Sequence, residues 1–304
     1  MLLPAATVSG ADTGPEGMRR QLAEGWFRPR QIMAALRSRE HGHVADLYLD
    51  LLEQILTGTI LRDVGFIPHP TNPNPVLAHD YDERARGIGS DWPSHAHTMI
   101  GVPRLRNLRR LITQILSEDI PGDLIETGVW RGGACIYMRA VLAVHGIKDR
   151  RVWVADSFDG LPPPSPDRFP ADTGSGLHNI RLLAVSLDEV KSNFAKYNML
   201  DEQVVFLKGW FKDTLATAPI ERLALLRLDG DMYESTIQAL DALYHKVSHG
   251  GFVIVDDYTL PGCRAAIEDF RARHGIADAI EQIDELSAFW RKTAASAPVS
   301  LPGN

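Results

Sequence analysis

Beyond Pro121 the chain alternates short apolar runs with stretches of helical period. Strands are expected over 123–127, 151–155, 203–207, 222–228 and 251–255, with helices over 131–145, 187–197, 232–247 and near 261–273. The helix at 187 opens on Ser186 and Glu189 in a capping-box pattern. Strands separated by helices specify a parallel sheet covered on both faces. The closing pair of β-like stretches, AIEQID and SAFWRK, is closely spaced and adds an antiparallel edge. The expected fold is α/β: a Rossmann-like, seven-stranded, mostly parallel sheet preceded by helices.

The 304 residues can hold one large α/β domain with extensions. Residues 1–42 read as a polar, Arg-rich arm, mobile or docked on a partner subunit, with a short helix around 19–36. A helical cap over 43–120 carries helices at 43–62 and 103–117, separated by a Pro- and Asn-rich loop. The core runs over 121–295 and a tail over 296–304. The 43–62 helix has an apolar face (Val44, Leu47, Leu51, Leu52, Ile55, Leu56) and no strand of its own to cover. Such a face must be buried on the core or on a second subunit, so a homodimer or homotetramer is expected. A net charge of −7 with no basic run argues against nucleic acid or an anionic membrane as partner. Cys135 and Cys263 fall in predicted helices and read as reduced buried thiols. With no apolar run near the ~18 residues of a membrane span and no secretory signal pattern, a cytoplasmic location is expected.

The chemistry sits at the carboxyl ends of the strands. LALLRLDGD ends on Asp229 and Asp231, and GFVIVDDY on Asp256 and Asp257. Carboxylates gathered on one sheet edge repel unless a hard cation such as Mg²⁺ lies between them. Asp229, Asp256 and Asp257 are therefore candidate metal ligands, with Asp231 as general base or orienter. Upstream, DLIETGVWRGG supplies Glu126, Gly128, Trp130, Gly132 and Gly133, a glycine-rich turn of the kind that binds ligands at a helix N-terminus. A dinucleotide turn keeps a glycine where Trp130 stands, and Trp130 crowds a diphosphate. That disfavours a nucleotide-dependent oxidoreductase. Asp156, ending RVWVADSFDG, is placed to accept hydrogen bonds from ribose hydroxyls. Ribose without pyrophosphate points to S-adenosylmethionine. A non-catalytic binding protein on the same scaffold would be expected to lose the metal carboxylates, and here they are present. His95, His97 and His178 lack the spacing of a zinc site and are expected in loops walling an acceptor pocket. The long loop 161–185 is expected to act as a lid.

Together DWPSHAHTMIGVPRLRNL, IETGVWRGG, VADSFDGLP, LRLDGDMYEST and FVIVDDY resemble the macrocin O-methyltransferase (TylF-like) family over roughly residues 45–292. The resemblance implies S-adenosylmethionine- and Mg²⁺-dependent methylation of a sugar or phenol hydroxyl in antibiotic biosynthesis. It implies that Glu126 and Gly128 lie beside the methionine part of the cofactor and that Asp156, with Ser157 after it, binds the ribose. It further implies that Gly209, Trp210 and Phe211 border the adenine and that Thr98 and Met99 cover the cofactor. The edge plan is also similar to catechol O-methyltransferases, whose base is a lysine three residues after the first metal aspartate. This chain has Met232 there, which raises Asp229 or Asp231 as the base.

Overall fold

The computed structural model describes residues 29–68 and 76–293. The chain divides into a unit ending at Tyr48 and one beginning at Leu49; the described part of the first is helical. Helix α1 (Pro29–Leu56) begins well ahead of residue 43, and the rest of the helix expected around 19–36 lies outside the described residues, as does the tail. It stops before 62 because Gly58 takes φ +72° and turns the chain, while the Leu56 carbonyl accepts the N–H groups of His97 and Thr98 (both 3.0 Å). Its apolar residues do not share one fate: Leu52 and Leu56 are buried, whereas Val44, Leu47 and Leu51 are exposed.

The Pro- and Asn-rich stretch expected after α1 lies largely outside the described residues, but the described residues on either side of it form regular structure. Strands β1 (Gly65–Pro68), β2 (Val76–His79) and β3 (Trp92–Pro93) form a small antiparallel sheet in the order β2-β1-β3, with helix α2 (Glu83–Ile88) between β2 and β3. Its anchor is polar: the buried Arg86 guanidinium pairs with Asp91 (2.9 Å) and Asp63 (2.5 Å) and donates to the Asp63 carbonyl (2.9 Å).

Helix α3 (Gly101–Ser117) leads into the core. There β4 (Asp123–Thr127), α4 (Gly133–Val144), β5 (Val152–Asp156), α5 (Leu187–Lys196), β6 (Val204–Lys208), α6 (Phe211–Thr214), β7 (Leu223–Leu228), α7 (Tyr233–Leu243), β8 (Val247–Val255), α8 (Pro261–Arg273), β9 (Ile280–Gln282) and β10 (Ala288–Arg291) succeed one another. The seven strands of the core sheet are ordered β6-β5-β4-β7-β8-β10-β9, with β10 antiparallel to both neighbours. Helix α7 ends earlier than 247 because β8 starts there, a register shift between Leu223 and Leu225 absorbing the extra length.

Alternation along the strands splits the core into two layers. Leu124, Val152, Val154, Leu225, Phe252 and Ile254 pack with α3 and α4. Ile125, Trp153, Leu226, Val253 and Val255 pack with α7 and α8. Full burial of each such side chain contributes about 1.5–3 kcal/mol. Cys135 and Cys263 are buried free thiols. Among the described residues no helix is long and apolar enough to cross a membrane.

Candidate active site

The sheet register brings the acidic residues together. Glu126 on β4 lies opposite Arg227 on β7, and Leu228 lies opposite Val255 on β8. The next residues, Asp229 and Asp256, leave the sheet side by side, with Asp229 N–H donating to Thr127 O and Asp256 N–H to Leu228 O (both 2.9 Å). Asp229, Asp256 and Asp257 each bring one carboxylate oxygen within 4.8 Å of the others. Asp231, held at φ +58° in the left-handed region, donates its N–H to Asp257 Oδ2 (3.0 Å).

Sequence reasoning missed the cation already present. Arg227 is buried, and its guanidinium binds Glu126, Asp229 (2.6 Å) and Asp256. Arg104 on α3 takes the other oxygen of Asp256 (2.6 Å) and also Asp284 (2.7 Å). The signal was in view: an arginine inside an apolar strand must be paired. The carboxylates still outnumber the guanidiniums. Burial pushes Glu126 up to about 7, Arg227 opposing and Asp229 adding. Burial and the neighbouring Asp256 push Asp229 up to about 6. Burial, then Asp229 and Asp256, push Asp231 up to about 8, and Asp257 rises well above the usual carboxylate range. Protons or an added cation must relieve this excess of negative charge.

The glycine-rich turn stands beside the cluster. Gly128 sits at φ +90°, and a Cβ there would lie 1.8 Å from the Asp229 carbonyl oxygen. Gly132, at φ +85°, caps α4, and the next N–H, of Gly133, donates to the His97 carbonyl (3.0 Å). That bond lays Thr98 and Met99 against the turn. Asp156 accepts the N–H groups of Val129 and Phe158 (both 2.7 Å), and Gly209 N–H binds the Asp156 carbonyl (2.9 Å). Asp156 thus fixes the glycine-rich turn as well as its own.

These groups open on one cavity of about 550 Å³. Of the expected site residues, Thr98, Met99, Glu126, Gly128, Trp130, Asp156, Ser157, Trp210, Phe211, Asp229, Asp231, Asp256 and Asp257 line it; Gly132 and Gly209 shape the turns behind it. Trp92, Arg104, Glu234 and Gln238 also line it and were not foreseen. The histidines do not. His97 Nδ1 lies 2.6 Å from the Tyr197 hydroxyl, and burial lowers its pKa to about 4, so it is neutral at physiological pH. Met232 is buried and offers no base.

Loop 161–185 does wall the cavity, through Leu161 to Ser165, Leu177 and Leu183. It is tied down at two points. Trp130 Nε1 donates to Leu182 O (2.8 Å), and buried Asp172 accepts the N–H groups of Tyr233 (2.7 Å) and Glu234 (2.9 Å), capping α7 from outside the helix. Asp172→Ala is expected to cost about 0.5–2 kcal/mol, as for other lost caps, and to raise the acceptor KM more than the cofactor Kd. Thermal melts and steady-state kinetics check this, and an unchanged acceptor KM refutes the link between loop and pocket.

The sheet order and the glycine-rich turn on its active edge define the class I methyltransferase architecture. The chain belongs to the macrocin O-methyltransferase (TylF) family, whose model matches residues 45–292. It is therefore an O-methyltransferase of the S-adenosylmethionine-dependent class. Over 255 residues it is 52% identical to the 8-demethyl-8-(2,3-dimethoxy-alpha-L-rhamnosyl)-tetracenomycin-C 4'-O-methyltransferase of Streptomyces olivaceus, covering 83% of this chain and 95% of that protein. It is 49% identical over 261 residues to the demethyldecarbamoylnovobiocin O-methyltransferase of Streptomyces niveus, covering 84% and 97%. The solved structure of the O-methyltransferase NovP superposes with a TM-score of 0.76 at 50% identity, covering 82% of this chain and 100% of that one.

Proposed function

We propose that the enzyme transfers a methyl group from S-adenosylmethionine to a sugar hydroxyl of a glycosylated secondary metabolite, with Mg²⁺ at Asp229, Asp256 and Asp257. The observation that carries this reading is the convergence of those three carboxylates on the cavity that the glycine-rich turn also lines. The donor set is all oxygen, which suits Mg²⁺ rather than zinc. The cavity falls in the range of about 300–1,000 Å³ usual for ligand clefts. The rhamnosyl group in the name of the Streptomyces olivaceus relative favours a sugar over a phenol.

When bound, the sulfonium cofactor supplies the electrophilic methyl and the divalent cation makes an acceptor hydroxyl easier to deprotonate. The chain's own part is to hold and orient. Glu126 and Gly128 would border the methionine part of the cofactor, with Trp130 on the same turn, and Thr98 and Met99 would cover it. Asp156 and Ser157 face the ribose, and Gly209, Trp210 and Phe211 the adenine. The acceptor proton goes to a carboxylate of the Asp229–Asp231 pair. Trp92 and residues 161–165 shield the reacting groups from water. Orientation of this kind contributes several kcal/mol (up to about 7–11).

The test is methyl transfer from labelled S-adenosylmethionine to a rhamnosylated aromatic acceptor, with Mg²⁺ and after exhaustive chelation. Full transfer without metal, or none with it, overturns the reading. Asp156→Ala is expected to weaken S-adenosylhomocysteine binding by about 1–3 kcal/mol, since it leaves hydrogen-bonding groups unpaired. Unchanged affinity by titration calorimetry would restrict Asp156 to its turn.

A further inference from the structure

We infer that Arg227 is a positioning residue for the divalent cation: its guanidinium holds the carboxylates of β7 and β8 in the spacing that coordinates the ion. The inference rests on the Mg²⁺ reading above. It goes further by naming a residue that does not line the cavity.

The geometry comes from the sheet. Arg227 precedes Asp229 by two residues, so both project from the same face of β7. Glu126 is its direct partner across β4, and Asp256 leaves β8 beside Asp229. One guanidinium therefore spans three neighbouring strands. Nη1 donates to Glu126 Oε1 and to Asp229 Oδ2 (2.6 Å), and Nη2 donates to Asp256 Oδ1. The remaining Glu126 oxygen accepts from Cys135 Sγ (2.8 Å), and Asp256 Oδ2 accepts from Arg104 Nη1 (2.6 Å). Arg227 is 1% exposed and Glu126 2%, so neither gains from solvent.

The arrangement fixes one oxygen of Asp229 and leaves the other oriented by the same bond. Each carboxylate oxygen has a second lone pair, so a carboxylate held this way can still meet a cation. Without the fork, Asp229 and Asp256 would turn apart under mutual repulsion. Lysine cannot reproduce it, because its ammonium is a compact charge on a flexible stem and lacks the rigid planar fork whose two nitrogens reach these carboxylates. Arg104, from the side of α3, grips Asp256 and Asp284, so among the three candidate metal ligands it holds Asp256 and does not set the spacing to Asp229.

Residues that orient metal ligands typically change metal affinity by about 10–100-fold when replaced. Arg227→Lys is accordingly expected to weaken Mg²⁺ binding by that factor in calorimetric titration of the full-length protein. S-adenosylhomocysteine should bind almost as it does to the parent, and excess Mg²⁺ should restore much of kcat. Should the lysine variant not fold, Arg227→Met combined with Glu126→Gln removes one positive and one negative charge together, and its Mg²⁺ isotherm should show the same loss. A parent protein that binds no Mg²⁺ overturns the metal reading itself. A parent that binds it while Arg227→Lys, or the double variant, binds it equally well overturns the positioning role alone. A lowered melting temperature with an unchanged Mg²⁺ isotherm does the same, since that is how a merely structural counter-charge behaves.

Discussion

Asp229→Ala is expected to cut turnover by at least about 100-fold, the upper end of the scale for residues that only support metal ligands. The variant should still bind S-adenosylhomocysteine. Asp229 stands where the acidic trio meets the cavity, and on the proposed reading Gly128, Asp156 and Trp210, which line the same cavity, remain to hold the cofactor. The protein should lose no stability, which separates this variant from ordinary damage to a core. Burial and Asp256 raise the Asp229 pKa to about 6, so at neutral pH its ionised form costs the fold free energy in the absence of metal. For a raised carboxyl the folded state binds the proton more tightly, so its contribution improves as pH falls through 6 toward its unfolded value. In metal-free buffer the variant should therefore melt at or above the parent near pH 7, with the difference vanishing near pH 4. Near-normal methylation in Mg²⁺-limited buffer would sink the metal assignment.

The sequence was most readable where hydrophobic period and strand ends carry the signal. β4 runs over 123–127 as expected, and β5, β6 and β7 begin within one residue of their expected starts. A parallel sheet forces each strand's last residues onto one edge, so the acidic trio could be read without coordinates. What could not be read was polar and non-local. The small sheet β1–β3 hangs on Arg86, whose partners Asp63 and Asp91 flank it at distances that no periodicity records. Arg227 was hidden for a related reason: within LALLRLD it looks like an interruption, and only the register with Glu126 and Asp256 shows it as a three-way clamp. Asp172 lies in an irregular loop, yet it caps a helix some sixty residues later in the chain. Side chains that serve a distant segment leave no local mark.

The glycine-rich turn is built directly against the acidic cluster, and Gly128→Ala is the change that exposes it. Gly128 sits at φ +90°, where an L residue costs roughly 1–2 kcal/mol. A Cβ there would also lie 1.8 Å from the Asp229 carbonyl oxygen, a main-chain atom that cannot rotate away. Relief requires the turn or the end of β7 to move, and overpacking of this kind typically costs a further 1–3 kcal/mol or so. Together these predict a loss of about 2–5 kcal/mol, with a fall in melting temperature of 2–4 °C or so per kcal/mol for a protein of this size. Function should suffer beyond stability, because the displaced atoms belong to Asp229 and to the turn that carries Val129 and Trp130. Gly174→Ala supplies the control: it has φ +82° but nothing within 4 Å of its Cβ, so it bears only the backbone cost. S-adenosylhomocysteine titration and thermal melts of the two variants decide the matter. A Gly128→Ala protein that loses no more stability than Gly174→Ala, and binds the cofactor as the parent does, would show that the turn and Asp229 are not packed in contact.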